Sequence, residues 1–244
     1  MNGFFMNYIS NNRIKELAKL KQKKFREKYV IVEGRRLIDQ LIRNDVEIEE
    51  IFITENFHFD LVPQKKIFLI QPYQLQKITS TKNPQEIAAL VKTETRKITD
   101  SKFLLYLDDI KEPGNLGAII RTATSAGIGG IVLSFGCCEI FNPKVIRSSL
   151  GTVFSFPIEI HDFEWLKKQN AKIVVTTLKD AENLNNFKLP SGDIILVIGS
   201  EAFGVSDEIL EIADYKIIIP LSNNVESLNA AVSAGIILFH LKNQ

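Results

Sequence analysis

Five nearly continuous apolar runs in the second half of the chain constrain its fold more than any other feature. They are Phe103–Leu107, Gly130–Leu133, Lys172–Thr176, Asp193–Ile198 and Lys216–Ile219. None alternates cleanly between apolar and polar residues. Each therefore asks for burial on both faces, as the strands of a covered parallel sheet do. Segments with helical spacing lie between and after them, at Leu116–Ser125, Val145–Ser149, Phe163–Lys168, Asp207–Ile212 and Leu228–Leu241. This alternation predicts an α/β domain, a mostly parallel sheet with helices on both faces. Ligands of such sheets bind beyond the carboxyl ends of the strands. The loops after Leu107, Ile198 and Ile219 are thus where chemistry is expected.

The first half reads differently. Ser10 can cap a basic helix running to about Lys24. A short β-type run, Tyr29–Val32, closes on Glu33-Gly34 and is followed by helical spacing over Arg35–Arg43. Ile51–Ile53, Ile67–Ile70 and Ile87–Val91 are further strand candidates, with a helix at Tyr73–Ile78. The polar stretch Lys92–Lys97 has little to bury. It marks a boundary between a small α/β domain, residues 1–95, and the larger domain, residues 96–244.

Charge sharpens the contrast. The 244 residues carry a formal net charge of +1, so the field of the whole molecule does not point to a polyanion. Yet Arg13, Lys15, Lys19, Lys21, Lys23, Lys24, Arg26 and Lys28 crowd the N-terminal end, opposed only by Glu16 and Glu27. This is either a footprint for nucleic acid or a solvated helix face.

Other chemistries are disfavoured. Cys137 and Cys138 are adjacent, a poor geometry for a disulfide and too few thiols for a zinc site. A buried, reduced pair in a cytoplasmic protein is the expectation. His58, His161 and His240 are scattered without ligand spacing, so no metal is expected. No apolar run approaches the roughly 20 residues of a membrane span, and Met1–Ile9 does not read as a secretory signal.

Three loops carry the candidate site. The first, from Asp108 to Gly117, places Asn115 near a helix start and Arg121 about two turns further on. It lacks both the dinucleotide fingerprint and the Gly-Lys-Ser/Thr of a P-loop. Asn115 can be a helix cap and Arg121 a surface residue, or both can face one cleft. The second loop, Gly199-Ser200-Glu201-Ala202-Phe203-Gly204, brackets an acid between glycines. Glu201 can complement a helix dipole or accept bonds from a ligand or from Arg121. The third, Ile219-Pro220-Leu221 through Ser227-Leu228-Asn229, opens the last helix, which Ser227 can cap.

Together and in this order, Asn115-x-Gly117-x-x-x-Arg121, Gly199-x-Glu201-x-x-Gly204 and Ile219-Pro220 with Ser227-Leu228-Asn229 resemble the signature motifs of the SpoU (TrmH-type) branch of the SPOUT RNA methyltransferases. Asn142-Pro143-Lys144 through Gly151 resembles the intermediate segment of that family. Val30–Arg36, with Lys24-Phe25-Arg26, is similar to its substrate-binding domain. This chain has Asn229-Ala230-Ala231 where many relatives carry Asn-Val-Ser or Asn-Val-Ala, a small-for-small change.

The resemblance implies S-adenosylmethionine as methyl donor and a ribose 2′-hydroxyl of RNA as acceptor; the target is a guanosine of large-subunit rRNA or of tRNA, and the separate N-terminal domain favours rRNA. It implies a C-terminal trefoil knot, and a homodimer whose active site draws on both subunits. It assigns Arg121, Asn115, Glu201, Ser227 and Asn229 to catalysis and positioning, with Glu201 orienting Arg121. It assigns Thr177, Leu178, Gly199, Ile219, Leu221 and Leu228 to the donor, and Arg26, Arg35 and Arg36 to RNA. Two rival readings are a non-catalytic RNA-binding protein on this frame and a nucleotide-dependent oxidoreductase or phosphate-binding enzyme, the latter weakened by the missing fingerprints.

Overall fold

The computed structural model describes residues 7–57, 67–100, 102–222 and 227–244. His58 and the segment 223–226 of the third loop lie outside the described residues. The chain divides into two compact units. One comprises Met1–Glu94 together with Phe141–Ser155; the other comprises Thr95–Ile140 and Phe156–Gln244.

The first unit holds a five-stranded sheet. Its strands are β1 (Asn7–Tyr8), β2 (Tyr29–Glu33), β3 (Ile48–Ile53), β4 (Ile67–Leu69) and β5 (Ile87–Lys92), in the order β1-β4-β3-β5-β2. β5 runs antiparallel to β2 and β3, while β1 and β3 flank β4 in parallel. Helices α1 (Asn11–Lys19), α2 (Arg35–Arg43) and α3 (Pro72–Ile78) belong to it. Ser10 caps α1 by accepting from the Arg13 amide, 3.2 Å. The helix stops at Lys19 rather than near Lys24, because Lys21–Lys24 offer no apolar side chain to bury. Ile14 and Leu17 of α1 and Leu75 and Ile78 of α3 share a core with Phe52 and Ile70.

The segment 141–155 contains the short helix α5 (Pro143–Ser148) and belongs with this unit. Gly151 adopts φ +77°, and a Cβ there would lie 2.7–2.8 Å from Leu37 and Leu41. Asn44 donates to the Ser155 hydroxyl at 3.2 Å, and Arg147 donates to Ser80 at 2.6 Å.

The second unit is a seven-stranded sheet in which every neighbouring pair is parallel. Its strands are β6 (Phe103–Leu107), β7 (Gly130–Leu133), β8 (Ile158–Ile160), β9 (Lys172–Thr176), β10 (Glu182–Asn183), β11 (Ile194–Ile198) and β12 (Tyr215–Ile218), in the order β10-β12-β9-β11-β6-β7-β8. The apolar runs become its buried strands; β8 and the two-residue β10 are too short to stand out in the sequence. Four helices complete the unit: α4 (Pro113–Ala126), α6 (Phe163–Lys167), α7 (Asp207–Glu211) and α8 (Ala230–Lys242). Leu104, Tyr106, Val175 and Val197 form one face of its core with Leu166 and Ile209. Because the strands are parallel, the ends of β6, β9, β11 and β12 lie along one edge.

Candidate active site

Parallel strands deliver four loops to that edge, and local chemistry shapes each. After β11, Ser200 and Gly204 exchange two backbone hydrogen bonds, 3.1 and 2.9 Å. The resulting tight turn carries Glu201, Ala202 and Phe203 at its tip. Both glycines are required. Gly204 has φ +72°, and a Cβ on Gly199 would lie 2.0 Å from the Gly204 carbonyl. After β6, the Asp108 carboxylate accepts from the Ser206 amide, 2.9 Å, tying the first loop to the start of α7.

A cavity of about 400 Å³ opens between the ends of β9, β11 and β12. Thr177, Leu178, Gly199, Ile219, Leu221 and Leu228 all line it. Ser233 and Ile237 of α8 close one side. Its volume is that of a small-molecule site. Its apolar walls and exposed strand-end backbone suit a ligand that is part aromatic ring and part polar chain.

At the rim, the expected catalytic residues separate into two groups. Asn115, Glu201 and Asn229 form a chain of side-chain hydrogen bonds: Asn115 Nδ2 donates to the Glu201 carboxylate, and Asn229 Nδ2 donates to Asn115 Oδ1 at 2.9 Å. Asn115 is not a helix cap; Glu112 fills that position on α4, accepting from the Gly114 amide. Nor does Ser227 cap the last helix. Asn229 does, its Oδ1 accepting from the Ala231 and Val232 amides at 3.0 and 3.4 Å. One amide side chain thus caps α8 with its oxygen and reaches Asn115 with its nitrogen. Ser227 lines the cavity and is exposed.

Arg121 stands apart. It is exposed on α4 and does not line the cavity. Among the described residues its guanidinium has no hydrogen-bond or ion-pair partner. Within one chain the Glu201 carboxylate accepts from Asn115, near the start of α4, and among the described residues makes no bond to Arg121.

Two further corrections follow from burial. Arg26, expected to contact RNA, is buried, and its Nη1 donates to the Leu20 and Lys21 carbonyls at 3.1 and 2.8 Å, closing the turn beyond α1. Arg35 and Arg36 are exposed at the start of α2. Cys137 and Cys138 are free and half-buried rather than fully buried. Partial burial, more than any charge, raises both thiols, Cys138 to about 11. Beneath the site, burial also pushes the Tyr106 phenol well above its usual range, with Asp108 adding to the effect. Among the described residues no group of three or more His, Cys, Asp or Glu could hold a metal, and no helix is long and apolar enough to cross a membrane.

The profile of the SpoU rRNA Methylase family matches residues 102–239, which include all four loops. The chain belongs to the SpoU family. It is an RNA methyltransferase. Residues 11–89 match the MRM3-like substrate binding domain. A 23S rRNA (guanosine(2553)-2′-O)-methyltransferase, RlmP, of Bacillus subtilis is 30% identical over 95% of this chain and 96% of its own. The mitochondrial rRNA methyltransferase 3A of Danio rerio is 26% identical over 95% of this chain and 68% of its own. The AdoMet-bound rRNA methyltransferase from Sinorhizobium meliloti superposes with a TM-score of 0.82 at 25% identity, covering 96% of this chain and 95% of that one.

The six residues expected to hold the donor meet in one cavity because they lie at strand ends and at the approach to α8. Sequence reasoning missed Asp108, Ser233 and Ile237. The last two sit one and two turns into an apolar helix, where nothing distinguishes a cavity wall from core.

Proposed function

We propose that this SpoU-family enzyme methylates the ribose 2′-hydroxyl of a guanosine in large-subunit ribosomal RNA. The observation that carries the reading is the meeting of loops: a cavity of donor size whose rim is tied by Asn115, Glu201 and Asn229.

When bound, S-adenosylmethionine supplies a methyl group on a positively charged sulfur, already a good electrophile. The chain's own task is to hold and orient. Backbone groups at Thr177, Gly199 and Leu221 would hold the polar edges of the donor, while Ile219, Leu228 and Leu178 would give it apolar contact. Ser227 and Asn229 at the mouth align the acceptor ribose. A ribose hydroxyl is a very weak acid, so the charge developing on its oxygen must be stabilised. Arg121 does this while clamping the adjacent phosphate. A guanidinium offers a planar fork of donors and no acceptor, which suits a clamp rather than a base. The proton leaves to phosphate or water.

The isolation of Arg121 in one chain supports a site completed by a second copy. Val232, Ile236 and Phe239, at helical spacing, leave an exposed apolar stripe along α8, and this stripe is the contact we assign to a homodimer. A knotted path for the C-terminal segment agrees with β12 lying between β10 and β9, and with α8 packed on α4. Arg35 and Arg36 are assigned to RNA phosphates. Ribosomal rather than transfer RNA is favoured by the match of the first unit to a substrate binding domain and by the end-to-end similarity to a 23S rRNA enzyme. The cytoplasm, where ribosomes are assembled, is the assigned compartment.

The test is incubation of the purified protein with labelled donor and total RNA from cells that lack the modification, followed by mapping. Label on the 2′-oxygen of a large-subunit guanosine is expected. Label on tRNA would overturn the target. Tight RNA binding without donor binding would overturn the enzyme reading.

A further inference from the structure

The first unit carries a second concave surface that none of the assigned residues uses. A groove runs between α1 and α3, floored by Ile14 and Ala18 and flanked by Lys15, Lys21 and Lys77, with Tyr73 on its edge. Its lining includes three lysines and no carboxylate. The groove is built rather than incidental. Gln74 is buried and bonds across to Asn11 at 3.1 Å, fixing the spacing of the two helices. The Lys21 ammonium donates to the Gln76 carbonyl at 3.3 Å. Glu16, the one acid on α1, is held by Arg13 at 2.9 Å.

The aromatic side chains add a second observation. Tyr73 is 58% exposed although its helix has a core-facing side available. The Lys77 ammonium lies 5.2 Å from the centre of its ring. The same pairing recurs beyond α1, where Lys24 sits 5.0 Å over the ring of Phe25, itself 41% exposed. Exposed ring faces interleaved with ammonium groups suit an unstacked base beside its phosphates. They suit an apolar protein partner poorly, because the lysines would have to be desolvated.

We propose that the α1–α3 groove binds single-stranded nucleotides of the substrate RNA, with one base stacked on Tyr73 and the flanking phosphates held by Lys15, Lys21 and Lys77. The proposal rests on the reading that the acceptor is RNA. It places a second RNA contact on the first unit in addition to Arg35 and Arg36. A stacked base discriminates little among sequences, so the groove selects an unpaired, exposed strand over a duplex.

The experiment measures RNA affinity, its salt dependence and methylation kinetics for the full chain carrying Tyr73→Ala, Tyr73→Phe, or Lys15→Ala with Lys77→Ala. Tyr73 is exposed, so its substitution leaves the core intact, and the denaturant-unfolding midpoint of each variant serves as the folding control. Tyr73→Ala should weaken RNA binding roughly tenfold, the size of one base stack, and raise KM with kcat little changed. Tyr73→Phe should bind as the unaltered protein does. The double lysine variant should weaken binding and make the log–log salt slope shallower by about 0.7 for each phosphate no longer neutralised. Weaker affinity in a protein that binds RNA but transfers no methyl would sustain the groove and sink the catalytic reading. Methylation with unchanged RNA affinity and KM in all three variants would overturn the groove alone. So would lysine variants that no longer bind anionic lipid vesicles while RNA binding is kept.

Discussion

The two units carry their candidate chemistry on different elements, strand-end loops in one and helices in the other. In the second unit all strand pairs are parallel, so one edge collects the loops after β6, β9, β11 and β12. Short side chains and backbone there build an enclosed site. In the first unit β1, β2, β3 and β4 share one direction and only β5 runs against its neighbours, so the sheet is mixed. What the first unit offers instead are long charged side chains and exposed rings on helices. A parallel sheet makes a pocket for a small donor; a mixed sheet with basic helices makes a surface for a large polyanion.

The sharpest way to break this comparison is at Arg121, which belongs to neither pattern. Arg121→Ala should lower methyl transfer about 10²–10³-fold, as removal of an oxyanion-stabilising group does, with donor binding unchanged in calorimetry. Full activity of Arg121→Lys, merely shifted in pH, would instead point to a titrating base. Gly199→Ala attacks the pocket directly. Its Cβ meets the Gly204 backbone, so the turn must open; donor affinity should collapse and stability fall by about 1–3 kcal/mol. Gly151→Ala tests the first unit in the same way. The positive φ and the approach to Leu37 and Leu41 predict a comparable fall of about 1–3 kcal/mol in denaturant unfolding, with donor affinity nearly intact. An equal fall in donor binding in that variant would show that the units are not separable in function. Asn229→Ala removes the α8 cap at a cost of about 1 kcal/mol, and it frees Asn115. Its activity should fall more than its stability alone would explain.

The smallest effect concerns Glu159. Its carboxylate lies 2.8 Å from His161 Nε2 and accepts from the Ile98 amide. These interactions, the His161 bond first, hold it below the ordinary carboxylate value. A group depressed in this way stabilises the fold above its unfolded value and loses that contribution as pH falls through the folded one. Urea midpoints of Glu159→Gln and the unaltered protein should therefore differ at neutral pH and converge only as the pH falls below the ordinary carboxylate range. A constant difference would remove the linkage.

Much of the fold was legible. Apolar runs such as Phe103–Leu107 have no amphipathic alternative, and α2 matches Arg35–Arg43 because its apolar spacing begins and ends cleanly. The end of α1 was not, since lysines are good helix formers and only missing burial stops it. Candidate residues were legible as a set, but their pairings were not. Asn115 and Glu201 are 86 residues apart and Asn115 and Asn229 are 114 apart, so only the sheet order brings them together. Arg26 misled because a basic run does not reveal which of its cations folds back onto carbonyls.

The grouping of Phe141–Ser155 with the N-terminal unit bears on how the chain is made. Domains tend to fold as units while synthesis proceeds from the N-terminus. Here the first unit lacks the backbone that lies against Leu37 and Leu41, and the hydroxyl that receives Asn44, until Ser155 has been translated. By then β6 and β7 have also been synthesised. The first unit is therefore completed only after part of the second has been made, and a nascent chain arrested before Ser155 would display an unfinished first unit rather than a finished module.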